Sequence, residues 1–230
     1  MRVWDICAGY LNRQSLLGEH REIHGVVSII VNKKIGYSKH PETVRWVGYG
    51  WALRQRHRQL SEEMSLRGFS DNSPVVTRSN KGNWPELYID EPFRQFQILK
   101  DKYQIKEQGR IPLPKNAQQL WSQHKYSILA RNNKSYLEIG KNVSVMKPHD
   151  DFSELSKILT EMLRVAPSVG GLRNALQHMW GHVSDPPSSI KVESWSLKRL
   201  LKEIQIRVMS SKEEYLISST ALSELKIWIP

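Results

Sequence analysis

A chain of 230 residues with 34 Lys and Arg against 23 Asp and Glu has a formal net charge of +11. That length allows one large domain or two small ones, and that charge suits a phosphate backbone better than an acidic surface. No apolar run approaches the roughly 18 to 20 residues that span a bilayer, and the opening Met1-Arg2-Val3-Trp4-Asp5 lacks the apolar core of a secretory signal.

Cys7 is the lone cysteine, so an internal disulfide is impossible and a metal site built on thiolates is not expected. The chain reads as a cytoplasmic protein. The charge is also evenly spread. Residues 1–108 hold 17 basic against 12 acidic side chains, and residues 109–230 hold 17 against 11. Neither half has the block of like charges that marks a disordered tail.

Residues 1–10 show no helical period. A helix is expected over 12–31, with Leu16, His20, Ile23, Val27 and Ile30 on one stripe and Ser15, Glu19, Glu22 and Val26 on the next. A loop over 33–41 follows, then a short helical piece over 42–47 that breaks at Gly48-Tyr49-Gly50. Leu53, His57, Leu60 and Met64 then recur at helical spacing up to a C-terminal cap at Gly68, and Arg54, Arg56, Arg58 and Arg67 decorate this helix.

Residues 70–92 read as irregular and 93–103 as a helix. Gly109, Pro112 and Pro114 place a linker at 107–114. Beyond it, Asn116 caps a helix carrying Leu120, Trp121, His124, Ile128 and Leu129. Further helices are expected over 151–165, 172–183, 197–209 and 213–228. No alternation long enough for a sheet appears. The expected fold is all-α, with two helical domains over 1–108 and 112–230.

The segment Leu11-Asn12-Arg13-Gln14-Ser15-Leu16-Leu17-Gly18-Glu19-His20-Arg21-Glu22-Ile23 resembles the first helix of the pyrimidine-dimer DNA glycosylase family, without a gap from the first residue. Gly36-Tyr37-Ser38-Lys39-His40-Pro41-Glu42-Thr43 and Glu62-Glu63-Met64-Ser65-Leu66-Arg67-Gly68-Phe69 extend the likeness to about residue 70, and it is patchy to about 105.

The resemblance implies a DNA repair glycosylase with apurinic/apyrimidinic lyase activity. Its nucleophile is an N-terminal α-amine, which the alignment places on Met1, and Arg2 as a long side chain would protect Met1 from removal. An α-amine titrates near about 8, against about 10.4 for a lysine, so much of it is nucleophilic at neutral pH. The resemblance assigns the assisting carboxylate to Glu22, and contacts to damaged or modified pyrimidines in double-stranded DNA to Arg2, Ser15, His20, Arg21, Lys39 and His40. It implies no cofactor and no metal. The phage-type members have a histidine where this chain has Ser15 and an arginine where it has Gly25.

In the second half, 120–131, Tyr136-Leu137-Glu138-Ile139-Gly140 and 174–182 resemble the YbgA-like domain, whose role is open. Its association with nucleotide-modifying modules implies a nucleic-acid-binding accessory role, on DNA or RNA. His178 and His182 stand at helical i, i+4 spacing but lack a third ligand in sequence. His124-Lys125-Tyr126 reads equally as a backbone-tracking surface or as a helix with one buried face. Trp121, Trp180, Trp195 and Trp228 are expected mainly in the core.

Two other functions stay open at this level. One is a non-catalytic DNA- or RNA-binding protein. The other is a glycosylase for another modified base.

Overall fold

The computed structural model describes residues 1–77, 82–184 and 192–230. Among these residues the fold is all-α, with no strand. The chain divides into two compact units, Met1–Gly109 and Arg110–Pro230. The irregular stretch expected over 70–92 includes 78–81, which lie outside the described residues.

In the first unit, α1 spans Arg13–Val31, and the Asn12 side chain caps it by accepting from the Ser15 amide. Pro41 opens α2 (Pro41–Trp46), where the N–H that proline lacks would have no partner within the helix. His40 caps this helix, its Nδ1 accepting from the Glu42 amide at 3.1 Å. α3 spans Gly50–Leu66 and stops before Gly68, whose φ of +81° is the left-handed geometry of a helix end. α4 spans Pro92–Lys102. α1 packs against α3 and α2.

Residues 1–12 form no helix beyond one 3-10 turn at Ala8–Tyr10, yet most of them are buried. Val3, Ile6, Tyr10 and Leu11 are all essentially inaccessible. The end of the unit closes over this segment. A Cβ on Gly109 would stand 2.5 Å from the Tyr10 carbonyl carbon and oxygen, so only glycine permits the approach.

In the second unit, α5 (Ala117–Arg131) is capped by Asn116 and packs against α6 (Asn133–Val145), α7 (Ser153–Leu163) and α8 (Val169–Trp180). α9 spans Leu197–Ser211 and packs on α8. Two short helices follow, α10 (Glu214–Ile217) and α11 (Ala221–Glu224), then a 3-10 turn at Leu225–Trp228.

Two expectations need correction here. α6 lies outside the expected helices; it fully buries only Val143, and its apolar stripe, Tyr136, Ile139 and Val143, is short. Its start is set by Asn132, which accepts from the Ser135 amide. The single helix expected over 213–228 is broken instead. At Ser218-Ser219-Thr220 the Thr220 amide leaves the helical ladder and donates to the Gln123 carbonyl at 2.8 Å. Thr220 Oγ1 also bonds Ser127 Oγ at 2.7 Å, so the break docks onto α5. Short hydroxyl side chains favour such alternatives to the helix.

The Gly109 contact is directly testable. Gly109→Ala should destabilise the protein by roughly 1–3 kcal/mol, the usual cost of forcing atoms into a filled site. Urea denaturation should show a lower midpoint with an unchanged slope; an unaltered midpoint would mean that the segment is free to move off Tyr10.

Candidate active site

The site is built from the buried N-terminal segment outward. An irregular segment in a core must find partners for its backbone groups, and here ionised side chains supply them. Glu19 Oε1 on α1 accepts from the Trp4 amide at 3.1 Å. The same carboxylate takes two bonds from Arg56 on α3, at 2.7 Å from Nε and 2.9 Å from Nη2. Arg56 Nη1 then donates to the Ile6 carbonyl at 2.9 Å. Arg67 donates to the carbonyls of Leu11 and Gly9, and its Nε bonds Glu63 at 2.7 Å. Arg56 and Arg67, which in sequence only decorate a helix, are both structural, and Arg56 is 2% exposed.

Burial pushes the Glu19 carboxyl above the usual carboxylate range, against the pull of Arg56 and the Trp4 amide. The same pairing holds the Arg56 guanidinium above its ordinary value. The fork-on-fork geometry is that of a guanidinium on a carboxylate, so the pair is ionised.

A second group secures the first residues. Arg45 grips Asp5 bidentately at 2.9 and 3.1 Å, and Gln95 bonds both Asp5 Oδ2 and the Asp90 carbonyl. Arg2 lies over the Trp4 ring at 4.7 Å and pairs with Asp90. Burial raises the Glu42 carboxyl, with Arg45 and the Trp46 indole acting to lower it.

These anchors leave the chain start beside α1. The Met1 amine lies 3.9 Å from Glu22 Oε1, an ion-pair distance rather than a hydrogen bond. The Met1 side chain is 8% exposed and that of Glu22 41%, so the pair sits at the rim of the core.

The other expected site residues divide by exposure. Arg21 and Lys39 are exposed, and His40 is half-buried as the α2 cap. Ser15 is 4% exposed, so its hydroxyl is not presented at the surface.

His20 does not stand alone. It meets His24 of α1, His57 of α3 and Asp71 in one cluster that the sequence reading did not assemble. Burial is the main cause that pushes His57 down to about 4, and it also lowers His24.

Residues 1–77 match the family model described as pyrimidine dimer DNA glycosylase. The first part of the chain is thus similar to pyrimidine dimer DNA glycosylases. Residues 125–202 match a protein family of unknown function, DUF1722, so the two domains follow in the expected order. No curated protein and no solved structure matches the chain. The family that residues 1–77 match is one of DNA glycosylase-type enzymes, whose substrate is DNA. No helix among the described residues is long and apolar enough to cross a membrane.

In the DUF1722 half, His178 and His182 do not converge on one another's partners. His182 Nε2 instead meets Tyr126 Oη at 2.6 Å and its ring stacks on Tyr215. Lys125 lies over the rings of Tyr126 and Tyr215. His124 faces the core. It is 3% exposed, and its Nδ1–H donates to the Leu120 carbonyl at 2.8 Å. Trp180 is buried, packing edge-on against Trp195 at 5.5 Å.

The buried Glu19–Arg56 pair and the buried His124 imidazole are each testable. Glu19→Gln should cost roughly 3–5 kcal/mol, because Arg56 is left buried without its counter-charge. Glu19→Leu with Arg56→Met should recover part of that loss in the same urea titration; equal loss in the single and double variants would show that backbone anchoring, not charge, is what matters.

Burial lowers His124 to about 4, whereas in the unfolded chain it titrates near about 6.5. Its folded value is depressed, so the unfolded state takes the proton first. Its contribution is whole above about pH 6.5 and declines as the pH falls towards 4, by up to roughly 3 kcal/mol. In His124→Leu the stability difference between pH 7 and pH 4 should narrow by that order.

Proposed function

We propose that this protein is a glycosylase with apurinic/apyrimidinic lyase activity that excises damaged pyrimidines, cyclobutane dimers foremost, from double-stranded DNA. The single observation that supports the reading is the Met1 amine poised 3.9 Å from the Glu22 carboxylate at an accessible rim.

The amine nitrogen attacks the sugar C1′ as the bond from C1′ to the base breaks, and the base, released as an anion, takes a proton from water; in a cyclobutane dimer it stays joined to the neighbouring pyrimidine. Glu22 takes the proton released from the amine and stabilises the cationic sugar. Opening of the sugar ring gives an imine, which acidifies the 2′ hydrogen. Loss of that proton breaks the bond from C3′ to oxygen and cuts the strand. These steps use an amine and a carboxylate alone.

Reaching C1′ calls for turning the damaged nucleotide out of the duplex, which is cheapest where stacking is already weak. Arg2, Arg21 and Lys39 supply charge for the phosphates around it, with His40 at the same end of α2. The second half, from about 112, acts as a helical nucleic-acid-binding module; the net charge of residues 109–230, 17 basic against 11 acidic, supports that role.

Borohydride reduction in the presence of an abasic-site duplex should trap the DNA on the Met1 α-amine, as peptide mass mapping reads. An adduct on a lysine such as Lys33 would overturn the assignment, and no adduct under several conditions favours a non-catalytic binding protein. Glu22→Gln should lower base excision by about 10² to 10³ or more, with lesion binding retained. Damaged duplexes carrying other modified bases, run side by side, decide the substrate.

A further inference from the structure

We propose that His20, His24, His57 and Asp71 form a four-coordinate binding site for a divalent transition cation, zinc foremost, which clamps α1 to α3 and to the segment that follows α3. The site is separate from the Met1–Glu22 pair. At about 100° per residue along α1, His20 and His24 each lie about 160° around the helix from Glu22.

The geometry is what carries the assignment. His57 Nε2 lies 3.1 Å from His20 Nε2 and 3.2 Å from His24 Nε2. Asp71 closes the group, with Oδ1 at 3.2 Å from His20 Nε2 and Oδ2 at 3.5 Å from His57 Nε2. One donor atom from each of the four residues lies within 4.8 Å of all the others. Zinc bonds to nitrogen run about 2.0–2.1 Å, so donors at the corners of a tetrahedron stand about 3.3–3.4 Å apart. These four separations bracket that value, the two to Asp71 being made by different carboxylate oxygens. The three ring centroids are also nearly equidistant, at 4.8, 4.8 and 4.9 Å, as rings arranged around a common point must be.

Hydrogen bonds alone do not account for this convergence. Each imidazole nitrogen offers either one N–H or one lone pair in the ring plane. His57 Nε2 faces two other Nε2 atoms and a carboxylate oxygen, and a single proton serves one of them well. A cation accepts all the lone pairs at once.

The chemistry of the donors fits a borderline metal. Three neutral imidazoles and one carboxylate suit zinc, and burial favours the neutral, ligating form of His57 and His24. The carboxylate is itself held in place, as metal-bound groups commonly are. Ser61 Oγ donates to Asp71 Oδ2 at 2.6 Å and the Ser73 amide donates to Oδ1 at 3.0 Å. Four protein ligands complete a tetrahedral shell and leave no position for substrate, which marks the site as structural.

The experiment uses the full-length chain. Purified protein, stripped with a strong chelator, is titrated with zinc in competition with a chromophoric chelator, and in parallel with cobalt(II). One equivalent of zinc per chain should bind, and cobalt should give the intense visible bands of a four-coordinate site. The melting temperature of the stripped protein should rise with zinc concentration, since the folded chain alone assembles the ligands.

His24→Ala removes the ligand from a half-buried position, so folding should survive. Its zinc affinity should fall by more than about 100-fold, beyond the loss seen when only a ligand's hydrogen-bond partner is removed. No stoichiometric uptake by the stripped wild type, weak six-coordinate cobalt bands, or equal zinc affinity in His24→Ala would each overturn the site. None of these readouts depends on DNA cleavage.

Discussion

The first domain depends on a single requirement: a chain segment with no secondary structure of its own is buried in the middle of a helical unit. Residues 3–11 are core, yet only one 3-10 turn serves their backbone. Unpaired buried amides and carbonyls each cost about 1–3 kcal/mol, so the surrounding helices must bring polar groups inward. They do so with Glu19, Arg56 and Arg67, which no helical apolar stripe would include. The buried charges of this domain follow from where its first residues run.

That arrangement also places the chain start. Glu19 fixes the backbone at Trp4, and Glu22 stands one turn further along the same helix, a rise of about 4.5 Å. Three residues of chain before Trp4 bring the Met1 amine to Glu22, with Arg2 pinned to Asp90 on the way. One helix therefore supplies both the carboxylate that anchors the segment and the carboxylate that faces its amine. The first is buried and bound on both oxygens; the second is exposed to solvent and to whatever approaches the amine.

The sequence is legible where burial follows the helical period and where capping residues punctuate it. Asn12, Asn116 and Gly68 mark helix ends in sequence as they do in the fold. It is illegible where a polar group is buried for a reason set elsewhere in the chain. Arg56 looks like its neighbours Arg54 and Arg58, and only the course of residues 4–6 makes it structural. α6 is hard to read for the opposite reason, since its apolar stripe, Tyr136, Ile139 and Val143, is short and set among polar residues. The 213–228 stretch has helical propensity, but a long-range bond to Gln123 wins over it. For the histidines a local signal did exist. His20 and His24 have the same i, i+4 spacing as His178 and His182, but their partners, His57 and Asp71, are more than 30 residues away in sequence.

Adjacent residues on each helix tie these features together. Glu19 and His20 are neighbours on α1, and Arg56 and His57 are neighbours on α3. The ion pair and the imidazole cluster thus lie side by side along one helix seam, each joining the same two elements. Sliding α1 by one turn against α3 would break both at once, whereas an apolar seam would tolerate the slip at a smaller cost. The register is therefore specified by directional contacts rather than by packing alone. Since Glu22 belongs to the same helix, the separation between its carboxylate and the Met1 amine is set by that register. The cluster acts on the far side of α1 and still helps to determine the geometry at the near side.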